Sequence, residues 1–322
     1  MPTERRNRLS DFATKMVGEF GISLALLIEV ILFSQLSPYF FTAENILNVS
    51  LQISITAIIA VGMTLVILTA GIDLSVGALV AWSGVIATSV LQLKLPFAAA
   101  FSLSLIVGLS IGALSGALSG FFITRLNITP FIVTLALMTI WRGAAYMYTD
   151  GRPIWGLPDA FSILGSGRIL KIPVPTIIMI AIYLIAYVML TKTRFGRHIY
   201  AVGGNKEAAR LSGINTEAVL MHVYIICGML AAFSGILLAS RMNSGQPNAG
   251  QMYELDVIAA VVVGGTSLFG GRGSIVGTFI GAMLIGVLRN GLNLLNVGSY
   301  VQMVVLGVVI LLAVMLDQVR KK

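Results

Sequence analysis

The stretch ILNVSLQISITAIIAVGMTLVILT, residues 46–69, decides the fold class, because it runs for 24 residues without one charged side chain. A helix needs roughly 20 apolar residues, at 1.5 Å of rise each, to cross the hydrocarbon of a bilayer. The run is continuous rather than alternating with period 2, which excludes a membrane β-barrel strand. Upstream, residues 20–36 form a comparable run, read as a retained helix rather than a cleaved signal because no small-residue cleavage site precedes it. Downstream the pattern repeats at 76–93, 97–123, 130–148, 174–190, 218–239, 255–269, 275–295 and 300–316. The expected fold is therefore all-α: a polytopic membrane helical bundle of about ten transmembrane helices.

Composition agrees. The chain of 322 residues is 57% hydrophobic and only 11% charged, with mean hydropathy +0.95. A soluble domain carries roughly 25% charged residues, so this chain cannot cover a soluble surface. The 34 glycines suit helices that pack closely in lipid. The net charge of +8 is explained by topology. With both termini cytoplasmic, 14 of the 21 Lys and Arg residues fall in inside segments and five outside, as the positive-inside rule requires. Nucleic acid is not needed as a partner, whereas the lipid bilayer is. The single cysteine, Cys227, lies inside an apolar run and reads as a packing residue.

This topology divides the chain into a cytoplasmic N-terminal segment 1–19, a transmembrane domain 20–317 and a cytoplasmic tail 318–322. Outer loops are expected at 149–173 and 240–253, and a long inner loop at 191–217. No GxxxxGK[ST] phosphate loop, no Cys/His cluster with metal spacing and no nucleophile–base motif occurs. Catalytic residues, cofactors and metals are therefore not assigned to this chain.

Polar groups inside spans are expensive and hence functional candidates. Glu29, Arg142 and Arg289 are such charges; Thr139 and Tyr146 share the helical face of Arg142. Asn45, Asn48, Gln52 and Thr56 form a polar stripe, and Arg289, Asn293 and Asn296 another. These groups serve either as interhelical locks or as a pathway lined with amide, hydroxyl and guanidinium groups. Lacking alternating carboxylates, such a path suits a neutral polyhydroxyl solute. The pathway or gate set is Gln52, Thr56, Asp73, Ser75, Arg142, Arg289 and Asn293. TAGIDLSVG, residues 69–77, reads as a helix break. Gly71 is placed to end one helix in the left-handed conformation, and Asp73 or Ser75 to cap the next. A weak echo relates 60–77 to 260–277: Ala60-Val61, Leu68, Gly71 and Val76-Gly77 recur exactly 200 positions later, hinting at duplicated helical hairpins. In the outer segments, Arg152, Trp155, Asp159, Arg241 and Glu254 suit docking of a soluble protein.

The longest polar interruption is GRHIYAVGGNKEAARLSGIN, residues 196–215. Within it, Glu207-Ala208-Ala209 with Gly213 matches the EAA-x-x-x-G pattern of importer-type ATP-binding-cassette permeases. Together with TAGIDLSVG, GRHIYAVGGN and YELDVIAAVVVGGTSLFGG at 253–271, the chain closely resembles the ribose-type sugar permeases from about residue 36 to 317. The family's later Ile-x-Leu-Pro is absent after Gly213, so the transfer stops there. The resemblance implies a bacterial inner-membrane permease importing a monosaccharide, ribose first. It implies a cytoplasmic ABC ATPase holding the ATP and Mg, a periplasmic sugar-binding protein and a second copy of this chain. A short ATPase-coupling helix is implied, with Gly203, Gly204, Asn205, Lys206, Glu207, Ala208, Ala209, Arg210 and Gly213 at the contact. Alternatives are another pentose, hexose or polyol-like cargo, or a stand-alone secondary transporter.

Overall fold

The computed structural model describes residues 21–321; the expected segment 1–19 lies outside them. Among the described residues the regular structure is helical apart from one short hairpin and an isolated β-bridge. Helix α1 is Gly21–Leu36, α2 Ala43–Leu68, α3 Val76–Leu91, α4 Phe97–Thr124, α5 Pro130–Thr149 and α6 Asp159–Ser166. Strands β1 (Arg168–Ile169) and β2 (Ile172–Pro173) pair antiparallel. Then follow α7 (Val174–Lys192), α8 (Arg194–Gly204), α9 (Lys206–Leu211), α10 (Thr216–Met242), α11 (Tyr253–Val263), α12 (Ile275–Leu294) and α13 (Ser299–Lys321). Six of these, α2, α4, α5, α7, α10 and α12, are long and apolar enough to cross a membrane. The apolar parts of α1, α3 and α13 are shorter, and α11 has only 11 residues.

The C-terminal half of α2 and the middle of α10 are apolar on every side, which fits a buried rather than a lipid-facing helix, and they form the core. Residues 57–68 of α2 are buried without interruption, and α10 packs against α2, α3 and α4. The α4–α10 contact is made possible by glycine. A side chain at Gly112 would meet the Gly228 carbonyl, and one at Gly116 the Tyr224 carbonyl and Ile225 backbone. With no Cβ between them the two backbones touch, which is how apolar helices gain packing energy where lipid offers no hydrophobic drive.

Two non-helical stretches enter this bundle from opposite ends. At the end that carries α8 and α9, the chain leaves α2 at Leu68 and turns back through residues 69–75. Asp73 there lies against Cys227 of α10, about 17 Å along that helix from its start at Thr216 by the standard rise. Helix α3 therefore begins near the middle of the bundle. From the opposite end, Gly245 pairs with Ile154 in a β-bridge, and residues 246–252 descend beside α3 until Gly250 meets Gly77 and Val80. Helix α11 starts there. Backbone off the helical path at membrane depth is stable only where protein satisfies its polar groups, and Arg142 does so. Its guanidinium donates to the carbonyls of Pro247 (2.9 Å), Ala249 (2.7 Å) and Gly77 (3.3 Å).

The break between α2 and α3 corrects one expectation. Ala70, not Gly71, takes the left-handed conformation, with φ of 60°. Gly71 is needed for space instead, since a Cβ there would meet the Tyr224 hydroxyl. Ser75 stands at the N-cap of α3 but makes no side-chain cap. Asp73 Oδ1 instead accepts from the Ser75 amide (2.9 Å) and hydroxyl (2.6 Å), closing an Asx turn.

Candidate functional site

A polar cavity of about 310 Å³ opens between α2, α11 and α12. From the predicted pathway set, Gln52, Thr56, Arg289 and Asn293 line it. Their convergence follows from helical spacing: Gln52 and Thr56 are four apart on α2, and Arg289 and Asn293 four apart on α12. The rest of the α2 stripe does other work. Asn45 and Asn290 exchange reciprocal amide hydrogen bonds of 3.0 Å, locking α2 to α12.

Sequence reasoning did not place Asp256 here. Its side chain is only 4% exposed, against 42% for Arg289, and its Oδ1 accepts from the Arg289 guanidinium at 2.5 Å. The pair spans α11 and α12. The signal lay in YELD, where Asp256 falls three residues after Tyr253 and both face the cavity. Gln302, at the start of α13, was also missed; its amide donates to Asn293 Oδ1 at 2.8 Å and to the Val297 carbonyl at 2.9 Å.

Asp73 and Ser75 sit in the mid-bundle turn, away from this cavity. Arg142 is also apart: with Thr139, Tyr146 and Glu254 it lines a more open cavity of about 630 Å³, and its guanidinium is committed to carbonyls. The five predicted docking residues divide as well. Arg152, Trp155 and Asp159 are exposed on the segment following α5, and Trp155 is held by Gln92, whose amide donates to its carbonyl at 2.6 Å. Arg241 lines the polar cavity, and Glu254 is half-buried beside Gly77 at the mid-bundle meeting point.

The predicted coupling stretch forms two short helices joined at Asn205. Thr193 caps α8 through the Gly196 amide (3.2 Å), and Asn205 Oδ1 caps α9 through the Ala208 amide (2.9 Å). Capping fixes the sharp corner. On α9, Lys206, Glu207, Ala208 and Arg210 are exposed while Ala209 is buried. Glu207 and Arg210 pair at 2.9 Å, and Gly213, at φ 83°, makes the turn toward α10. Leu211 is 80% exposed, so α9 presents an uncovered apolar tip among charges.

The corner is wedged into the bundle. A side chain at Gly203 would overlap the Leu68 carbonyl and crowd the Gly271 amide. That amide donates to the same Leu68 carbonyl at 2.9 Å. Gly270 lies against Ala70, and Gly271 against Gly204. The Tyr200 hydroxyl donates to the Gly273 carbonyl at 3.0 Å, and burial pushes its phenol pKa up, so it stays a donor. The end of α2, the corner of α8 and the loop between α11 and α12 thus meet at one joint. The two echoed segments of the sequence are in contact there.

Among known proteins, the family model described as "Branched-chain amino acid transport system / permease component" matches residues 45–314. The ribose import permease protein RbsC of Escherichia coli (strain K12) is 49% identical over 302 residues, 92% of this chain and 93% of its own length. RbsC of Bacillus subtilis (strain 168) is 49% identical over 324 residues, 100% of this chain and 98% of its own. The D-allose transport system permease protein AlsC of Escherichia coli (strain K12) is 39% identical, covering 94% of this chain and 93% of its own. No solved structure matches the chain.

Proposed function

The chain belongs to the branched-chain amino acid transport system / permease component family, and we propose that it is the membrane subunit of an ATP-driven importer for a monosaccharide, ribose first. It is a transporter subunit rather than an enzyme. The family's description speaks of amino acids, but relatives at 49% identity over nearly the whole chain are ribose permeases, and the cavity chemistry sides with sugar. A branched-chain amino acid asks for an apolar pocket and separate partners for its ammonium and carboxylate. The cavity instead offers the amides of Gln52, Asn293 and Gln302, the hydroxyls of Thr56 and Tyr253, the Arg241 side chain, and Arg289 already paired with a buried acid. That convergence of polar groups among membrane helices is the observation that carries the reading. Relatives named for D-allose and for galactose/methyl galactoside, at 39% and 38% identity, support a hexose as the second choice.

In this reading α1, α2, α4, α5, α7, α10, α12 and α13, together with α3 and α11 completed by the non-helical stretches 69–75 and 246–252, supply ten crossings of the bacterial inner membrane, with both termini and the α8–α9 corner in the cytoplasm. Residues 203–213 seat in a groove of the partner ATPase, with Leu211 as the apolar tip and Glu207 and Arg210 at its rim. Arg152, Trp155 and Asp159 receive the periplasmic binding protein, and a second copy of the chain completes the pathway. ATP binding and hydrolysis in the partner push on the corner. The joint at Leu68, Gly203 and Gly271 passes that motion to α2 and to the α11–α12 hairpin, which together wall the polar cavity.

Proteoliposomes holding the permease, with its ATPase and ATP enclosed in the lumen and its binding protein outside, should take up radiolabelled ribose, and should not do so without the enclosed ATP. Concentrative uptake by the permease alone would overturn the proposal.

A further inference from the structure

We infer that the polar cavity is a stereoselective site for a neutral polyhydroxylated ring, so that the permease itself sieves its cargo. This rests on the sugar-import reading above and deepens it. A passive conduit needs only wettable walls. In this cavity Arg289, Asn293, Gln302 and Thr56 are oriented by hydrogen bonds within the protein before any ligand arrives, beside Gln52, Arg241 and Tyr253.

Arg289 gives an Nη2 N–H to Asp256 Oδ1 and lines the cavity, so its remaining N–H donors are left for a ligand. Asp256 keeps Oδ2 as an acceptor. Asn293 accepts from Gln302 through Oδ1, so its Nδ2 is the end left to donate. Gln302 spends its amide nitrogen on Asn293 and Val297, leaving Oε1 to accept. Thr56 donates to the Ile53 carbonyl at 3.1 Å, so its oxygen faces the cavity as an acceptor.

The result is a fixed pattern of donors and acceptors on Arg289, Asp256, Asn293, Gln302 and Thr56. A guanidinium–carboxylate couple offers a donor and an acceptor side by side, which matches two adjacent hydroxyls of a ring. Fixed polar groups discriminate sharply, because an epimer that turns one hydroxyl away leaves a desolvated partner unpaired. The volume of about 310 Å³ lies at the small end of ligand pockets, roughly 300–1,000 Å³, as a single ring requires.

The experiment measures binding to the full-length permease in nanodiscs, without its partners. The probes are D-ribose, D-arabinose, D-xylose, D-allose and D-galactose. Expected is saturable binding in which the best-bound sugar exceeds its weakest stereoisomer at least roughly tenfold, the equivalent of one hydrogen bond. Asn293→Leu and Thr56→Val leave the ion pair untouched and should bring that ratio toward one. Binding of no sugar in the panel, binding without discrimination, or an unchanged ratio in both variants would overturn the inference. ATP-driven uptake by the assembled importer is measured in parallel. Its presence alongside non-selective binding defeats only the sieve, whereas its absence defeats the import reading itself.

Discussion

At the scale of single residues, Gly203 and Asp256 carry the sharpest consequences. Gly203 has no room for a side chain between the Leu68 carbonyl and the Gly271 amide. Gly203→Val therefore forces the α8 corner off the bundle; overpacking of this kind costs about 1–3 kcal/mol. The expected outcome is a protein that still inserts in the membrane but loses at least tenfold in ATP-driven uptake while the ATPase continues to turn over. Equal loss in a variant at Gly204, where an added Cβ would meet nothing within 4 Å, would refute the wedge. Asp256 is a buried acid held by one arginine. Arg289→Leu strands it, at a cost of about 3–5 kcal/mol, whereas replacing both partners by apolar residues of similar size is often close to neutral. Thermal unfolding in detergent should thus show Arg289→Leu well below the parent, and Arg289→Leu with Asp256→Leu recovering most of the difference. A double variant no better than the single would mean that the pair does not account for the loss.

At the scale of elements, the α4–α10 seam and the mid-bundle break follow different rules. Four glycines spaced by four in α4, from Gly108 to Gly120, announce a face for close packing. Gly116→Leu should push α4 from α10 and lower the yield of monodisperse protein and its melting temperature, consistent with an overpacking cost of about 1–3 kcal/mol or more. The apolar runs gave most of the helices to within a few residues, because in lipid the backbone has no alternative to the helix; the run 255–269 is the exception, its helix ending at Val263 before Gly264-Gly265. The break at 69–75 was legible as a break, but its depth was not. Depth depends on Asp73 reaching Cys227, and on Arg142 holding carbonyls about 105 residues away in sequence, which no local pattern encodes. For the same reason Arg241 and Glu254 read as outer-loop residues, although the chain folds them inward. The cavity was half legible. Spacing by four grouped Gln52 with Thr56 and Arg289 with Asn293, but the partner of Arg289 lies on a different helix, 33 residues away in sequence, a pairing that no local spacing encodes.

At the scale of the whole molecule, the sole cysteine, Cys227, is fully buried, so the parent chain offers a quiet background for thiol probes. In intact spheroplasts a membrane-impermeant maleimide should label Arg152→Cys and spare Lys206→Cys, with the reverse in inverted vesicles; the opposite pattern would invert the proposed orientation. A further consequence belongs to the two helices that start at mid-depth. Helix α3 runs from there toward the end bearing Trp155, and α11 from the same level toward the end bearing α9. Each helix carries roughly half a positive charge at its N-terminus, so the two dipoles point in opposite directions across the membrane, with the carboxylate of Glu254 beside their common origin. An imposed voltage does about 2.3 kcal/mol of work on each unit charge moved through 100 mV, but it pulls these two poles against each other, and a neutral cargo adds no charge. The pump should therefore be electrically silent. Uptake in proteoliposomes clamped with valinomycin and potassium should proceed at one rate at zero and at −100 mV, and a steep voltage dependence would show that a net charge crosses the field during the cycle.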